Sequence, residues 1–147
     1  MDIVTIGLNF GDVNWTGVIV AGIACWASGF VWFGPKTLFP VWWKAMGKGA
    51  DEEPGAGQNM GMVFGLVTLS ALVQAYLVAV VAGAVAGGLA IAPGTGATVG
   101  FVLGLLVTLP ALGHRLFAGH GLKVWVLECG NDLLNFVLMG LVYALIA

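Results

Sequence analysis

Charge is what this sequence has least of. Only 8% of its 147 residues are Asp, Glu, Lys or Arg, against about 25% in a water-soluble domain. So few charges cannot cover a soluble globule of this length, and a 60% hydrophobic composition points instead to an integral membrane protein. There is no basic tail and the net charge is −2, which argues against a nucleic-acid partner. Cysteine is scarce too. Cys25 and Cys129 both sit inside apolar stretches, without disulfide or zinc spacing, and read as small buried hydrophobes. The opening Met-Asp-Ile-Val-Thr lacks the basic start of a signal peptide, so this segment is expected to be retained. The glycine-rich stretches lie in hydrophobic spans rather than after a strand, which argues against a phosphate-binding loop. Ser28 and Ser70 lie far from any base. No catalytic residue, no cofactor and no resident metal is assigned, and a non-enzymatic protein is the expectation.

What the sequence does have is hydrophobic length. A helix needs about 20 apolar residues to cross a bilayer, and four stretches qualify. They run about 14–33, 60–86, 95–112 and 123–147, after an outer lead-in at 1–13. The fold class is therefore all-α: a single four-helix transmembrane domain over 14–147. Gly34-Pro35 ends the first span. The connection 34–59 begins with a short segment, Thr37 to Gly47, that mixes Trp42, Trp43 and Phe39 with Lys36, Lys44 and Lys48. It reads as an amphipathic piece in the headgroup plane. The rest of that connection is acidic and rich in Gly and Pro, hence a loop. The other tryptophans read as interface anchors.

Twenty-four glycines are many for soluble helices but suit membrane helices that pack closely. Gly96, Gly100 and Gly104 recur every fourth residue, as do Gly83 and Gly87, and both sets are expected to face other helices. Stripes in excess of what one bundle buries point to a homo-oligomer or to a subunit of a membrane complex, with lipid as the remaining partner. All five Lys and Arg lie in the first-to-second and third-to-fourth connections, Lys123 at the edge of the latter. The positive-inside rule then places those connections in the cytoplasm and both termini outside.

The fourth span is the chemically unusual one. Its first half carries Glu128, Asn131, Asp132 and Asn135, spaced so that all four fall on one helical face. A carboxylate at the centre of a membrane helix costs about 2.5–3.5 kcal/mol even on the gentler insertion scale. The stripe must therefore turn away from lipid. Two carboxylates four residues apart also repel. A shared proton, a bound cation, or pairing with Arg115 or Lys123 relieves this. One reading is a proton- or cation-handling site in a small channel or transporter. The other is interhelical hydrogen bonding that fixes packing or an oligomer interface. His114 and His120 flank Arg115 and, with it and Lys123, form a possible outer ring of the site; no metal-ligand spacing backs them.

Several local runs look familiar. They are Asn14-Trp15, the stretch Gly29-Phe30-Val31-Trp32-Phe33-Gly34-Pro35, and Trp42-Trp43-Lys44-Ala45-Met46-Gly47. Leu116-Phe117-Ala118-Gly119 and Val137-Leu138-Met139-Gly140 follow in the same order. Together they resemble a bacterial family of four-span membrane proteins, the domain of unknown function seventeen sixty-one. The resemblance covers about Asn14 to Ala147 and implies a multi-pass protein of the bacterial inner membrane. Where the family often shows Asn-Ala-Gly-Tyr, this chain has Glu128-Cys129-Gly130-Asn131. The acidic pair is thus a departure, and the resemblance carries over no catalytic residue.

Overall fold

The computed structural model describes residues 7–147, so the first six residues of the lead-in lie outside the described part. Five helices follow in order: α1 Trp15–Trp32, α2 Phe39–Ala45, α3 Met60–Ala86, α4 Pro93–Phe117 and α5 Gly121–Ile146. No strand occurs among the described residues. All but α2 are long and apolar enough to cross a membrane. Their outward faces carry side chains such as Ile23, Leu69, Leu106 and Leu145, each more than half exposed. That suits hydrocarbon rather than water.

Local chemistry sets the helix ends. Asn14 and Asn59 cap α1 and α3, their side-chain oxygens accepting from the backbone N–H of Gly17 (3.0 Å) and Met62 (3.2 Å). At the far end of α1, the Thr37 hydroxyl lies on the Trp32 carbonyl at 2.9 Å, and its oxygen accepts from the Gly34 N–H at 2.9 Å. Groups that a helix end leaves without partners are satisfied there, just before α2 begins. Gly87 closes α3 in the left-handed conformation, φ 75°. Pro93 opens α4, where a missing N–H costs nothing.

The four long helices alternate in direction. Gly96, Gly100 and Gly104 of α4 meet Gly140, Phe136 and Leu133 of α5 in reverse order. On the other side, Gly17 of α1 lies on Tyr143, and the Cys25 thiol donates to the Asn135 carbonyl at 3.3 Å. Further along, the Trp32 indole donates to the Leu127 carbonyl at 2.9 Å. Helix α5 is therefore central: every other helix touches it.

The core is not centred along the bundle. Val18, Ala21, Ala75, Val78, Ala79, Val99, Met139 and Tyr143 are all buried. They come from the first half of α1, the second half of α3, the start of α4 and the second half of α5. All lie toward the end of the bundle that holds the N-terminus of α1 and the C-terminus of α5. Toward the opposite end, the first half of α3 stands away from α5, and none of its residues before Ala75 is buried.

Two elements differ from the sequence expectation. Helix α4 continues past Leu112 to Phe117, which places His114 and Arg115 on a helix rather than in a loop. Pro110 removes only the hydrogen bond to the Leu106 carbonyl, and one lost bond does not end a helix held along its length by α5. Among the described residues, Gly83 and Gly87 do not pack on another helix. A Cβ at Gly83 would meet only the Gly88 carbonyl oxygen, at 3.6 Å, and one at Gly87 would meet nothing within 4 Å. They serve the turn that ends α3, where Gly88 N–H bonds to the Gly83 carbonyl at 3.0 Å.

Candidate functional site

Where α3 stands away from α5, the helices leave a cleft of about 900 Å³. Its apolar walls are Trp26, Phe30 and Phe33 of α1 and Phe64, Leu66 and Val67 of α3. Helix α2 closes one end with Phe39 and Trp42, and Cys25 and Met139 lie at the other, where the packed core begins. The remaining side is polar. Glu128, Asn131, Asp132 and Asn135 of α5 all line it, joined by Arg115 of α4 and by Ser70 and Gln74 of α3. Along α5 the lining runs from Glu128 to Met139, so the cleft extends roughly 16 Å along the helix axis.

Glu128 is fully engaged. Its Oε2 pairs with Arg115 Nε at 2.6 Å, and its Oε1 accepts from the Trp42 indole N–H at 3.0 Å. The carboxylate ties three helices together, with its side chain only 16% exposed. Charge-assisted hydrogen bonds of this kind are about twice as strong as neutral ones. A long α4 makes the pairing possible: its last turn brings Arg115 alongside the first turns of α5.

Asp132, one turn deeper, is placed differently. It is exposed to the cleft and, among the described residues, has no ion-pair partner. Asn131 is buried, 8% exposed, and its side-chain oxygen has no hydrogen-bond partner among the described residues. The Asn135 side-chain oxygen is in the same state, as is the Trp26 indole N–H. Buried polar atoms are nearly always satisfied in folded proteins. Three such orphans on side chains around one cleft mark it off from the rest of the bundle.

The outer ring of the site divides. Arg115 belongs to the cleft, but His114, His120 and Lys123 do not line it. His120 instead precedes α5, its backbone N–H bonded to the Arg115 carbonyl at 3.0 Å. Among the described residues, no three of His, Cys, Asp and Glu converge in a way that holds a metal ion. Sequence reasoning missed the tryptophans. Four of the six indoles are spent inside the protein: Trp32 on Leu127, Trp42 on Glu128, Trp43 on Gly49 and Trp125 on Thr108. A signal was present in Trp42, which follows the helix-ending Gly34-Pro35 closely enough to fold back onto the bundle.

No curated protein and no solved structure matches the chain. One family model does, over residues 16–144, a span that takes in the whole cleft and all four long helices but for the first residue of α1 and the last two of α5. This chain is therefore a member of the protein family of unknown function DUF1761.

Proposed function

We propose that this multi-pass membrane protein is a small solute carrier, not an enzyme, and that it binds its solute in the cleft beside α5. One observation supports the reading above all: the polar stripe lines an open cleft. A stripe that only fixed packing would be sealed between helices with its hydrogen bonds complete. Here Asp132, Asn131 and Asn135 are left with capacity that the protein does not use. The packed core blocks the cleft at Cys25 and Met139, and α2, flanked by Lys36 and Lys48, lies across the other end. A cleft that stops at a packed core is not the continuous path a channel needs, and a short helix across its other end suits a carrier that opens there. By the positive-inside rule the α2 end of the cleft lies on the cytoplasmic side of a bacterial membrane and both termini face outward.

The test is chemical access. In a variant without Cys25 and Cys129, Asn135→Cys is exposed to an impermeant maleimide in oriented vesicles. Labelling from the face that carries Arg115 is expected, with slower labelling from the opposite face as the carrier alternates. Absence of labelling from either face would show the stripe to be sealed and would return it to a structural role.

A second reading, homo-oligomeric assembly, has its own observation. Gly65 of α3 has nothing within 4 Å of where its Cβ would stand, and its neighbours Phe64 and Leu66 are about half exposed. A small residue that no helix of the chain uses suits the approach of a second copy. Subunit counting of the detergent-purified protein by mass tests it, and a monomer would dismiss it.

A further inference from the structure

We infer that the cleft takes a singly charged amine with an apolar body, its primary ammonium seated among Asp132, Asn131 and Asn135. The inference rests on the carrier reading in one respect, that the cleft admits a ligand.

Charge is the first argument. Three ionisable carboxylate and guanidinium groups line the cleft, and two of them, Arg115 and Glu128, neutralise each other at 2.6 Å. Asp132 is left over, so with its carboxyl ionised the cleft carries one net negative charge about midway along α5. A ligand with one positive charge offsets it. An anion would meet two carboxylates, with the only guanidinium already engaged. A zwitterionic lipid headgroup brings a phosphate into the same conflict.

Hydrogen bonding is the second argument. Asn131 is more than nine-tenths buried and its amide oxygen has no partner, and the Asn135 oxygen repeats the pattern one turn on. Either amide can turn its oxygen to the cleft by rotation about its last side-chain bond. With the Asp132 carboxylate this makes three acceptors within one turn of a helix face. A primary ammonium has three N–H donors and no acceptor, so it can use all of them. A quaternary ammonium would leave them unmet.

The walls supply the third argument. A bare inorganic cation gains little from Phe30, Phe64 and Val67, whereas an apolar body buries them. The Trp26 ring adds a π face on which cationic groups rest favourably.

The probe is 2-(1-naphthyl)ethylamine, measured by equilibrium dialysis against the full chain in phosphatidylcholine nanodiscs, which contain no primary amine. Saturable binding is expected, with the neutral N-acetyl derivative at least tenfold weaker. Asp132→Asn should weaken the amine at least tenfold while leaving the N-acetyl derivative unchanged. Equal binding of amine and N-acetyl derivative would overturn the inference but leave the cleft as a ligand site. Saturable binding of neither would overturn both the inference and the carrier reading. If Asp132→Asn does not fold, the comparison of the two probes on the unaltered protein decides alone. A last arm adds phosphatidylethanolamine to the nanodiscs. Loss of amine binding there would identify a lipid amine as the occupant and overturn the proposal of a free one.

Discussion

The Trp42 indole and the Glu128 carboxylate are 86 residues apart in sequence and 3.0 Å apart in space. This bond, with ring contacts from Trp42 to Phe33 and Phe39, holds α2 across the end of the cleft. A hydrogen bond to a charged group contributes about 1.5–3 kcal/mol. Trp42→Phe keeps an aromatic ring and removes the donor. Hydrogen exchange across Phe39–Ala45 is expected to speed up roughly tenfold or more, about 1.4 kcal/mol, while the core of α5 is unchanged. Unaltered exchange in α2 would mean that the bond does not hold the helix in place.

The seam between α4 and α5 gives a sharper prediction. A Cβ at Gly100 would overlap the Phe136 backbone carbonyl, and one at Gly96 that of Gly140. Backbone cannot move aside as a side-chain tip can, so Gly100→Ala should cost about 1–3 kcal/mol or more. Gly65→Ala meets nothing and should stay within about 1 kcal/mol of the parent. Thermal melts of the two variants in the same detergent make the comparison. Equal melting temperatures would contradict the close approach at Gly100.

Orientation is tested with single cysteines at Ala50, in the exposed loop after α2, and at Ala147, in a background without Cys25 and Cys129. Ala50 is preferable to Gly55, whose positive φ of 71° disfavours any other residue. An impermeant thiol reagent on intact cells should label position 147 and spare position 50. The reverse pattern would invert the proposed topology.

The loop also carries a pH-dependent turn. The Glu52 carboxylate accepts from the Gly49 N–H and the Lys48 ammonium, both at 2.9 Å. The Gly49 bond first, then Lys48, holds its pKa below the ordinary 4.5. A group whose folded value is lowered stabilises above its unfolded value and loses that contribution as pH falls through the lowered one. The Gly49 amide resonance should therefore shift with a midpoint below pH 4.5. A Glu52 titration midpoint at or above that value would refute the contact.

The four spans were legible because a bilayer demands length and apolarity, and both are local properties of the sequence. The polar face of α5 was legible for the same reason: Glu128, Asn131, Asp132 and Asn135 follow from helix periodicity alone. Their unequal fates were not. Whether a carboxylate finds a partner depends on Arg115 and Trp42, which arrive from other helices. The end of α4 was misplaced because Pro110 and Gly113 look like stop signals when tertiary contacts are unknown. Gly83 and Gly87 were misassigned because four-residue spacing describes a packing stripe and a helix-ending turn equally well.

The central place of α5 bears on how the protein is made. The backbone N–H of Asn14 donates to the Tyr143 hydroxyl at 3.0 Å across 129 residues of chain, and Gly17 lies against the same ring. During synthesis α1 and α3 can already meet, with Gly22 against Leu72, but the faces of α1 and α4 that pack on α5 stay uncovered until the last helix leaves the ribosome. A nascent chain stalled before α5 exposes Arg115 without its counter-charge and the Gly17 face of α1 without Tyr143. Such an intermediate is the form that membrane proteases and insertion chaperones would recognise, so the cellular level of this protein should depend on how quickly its final helix is delivered.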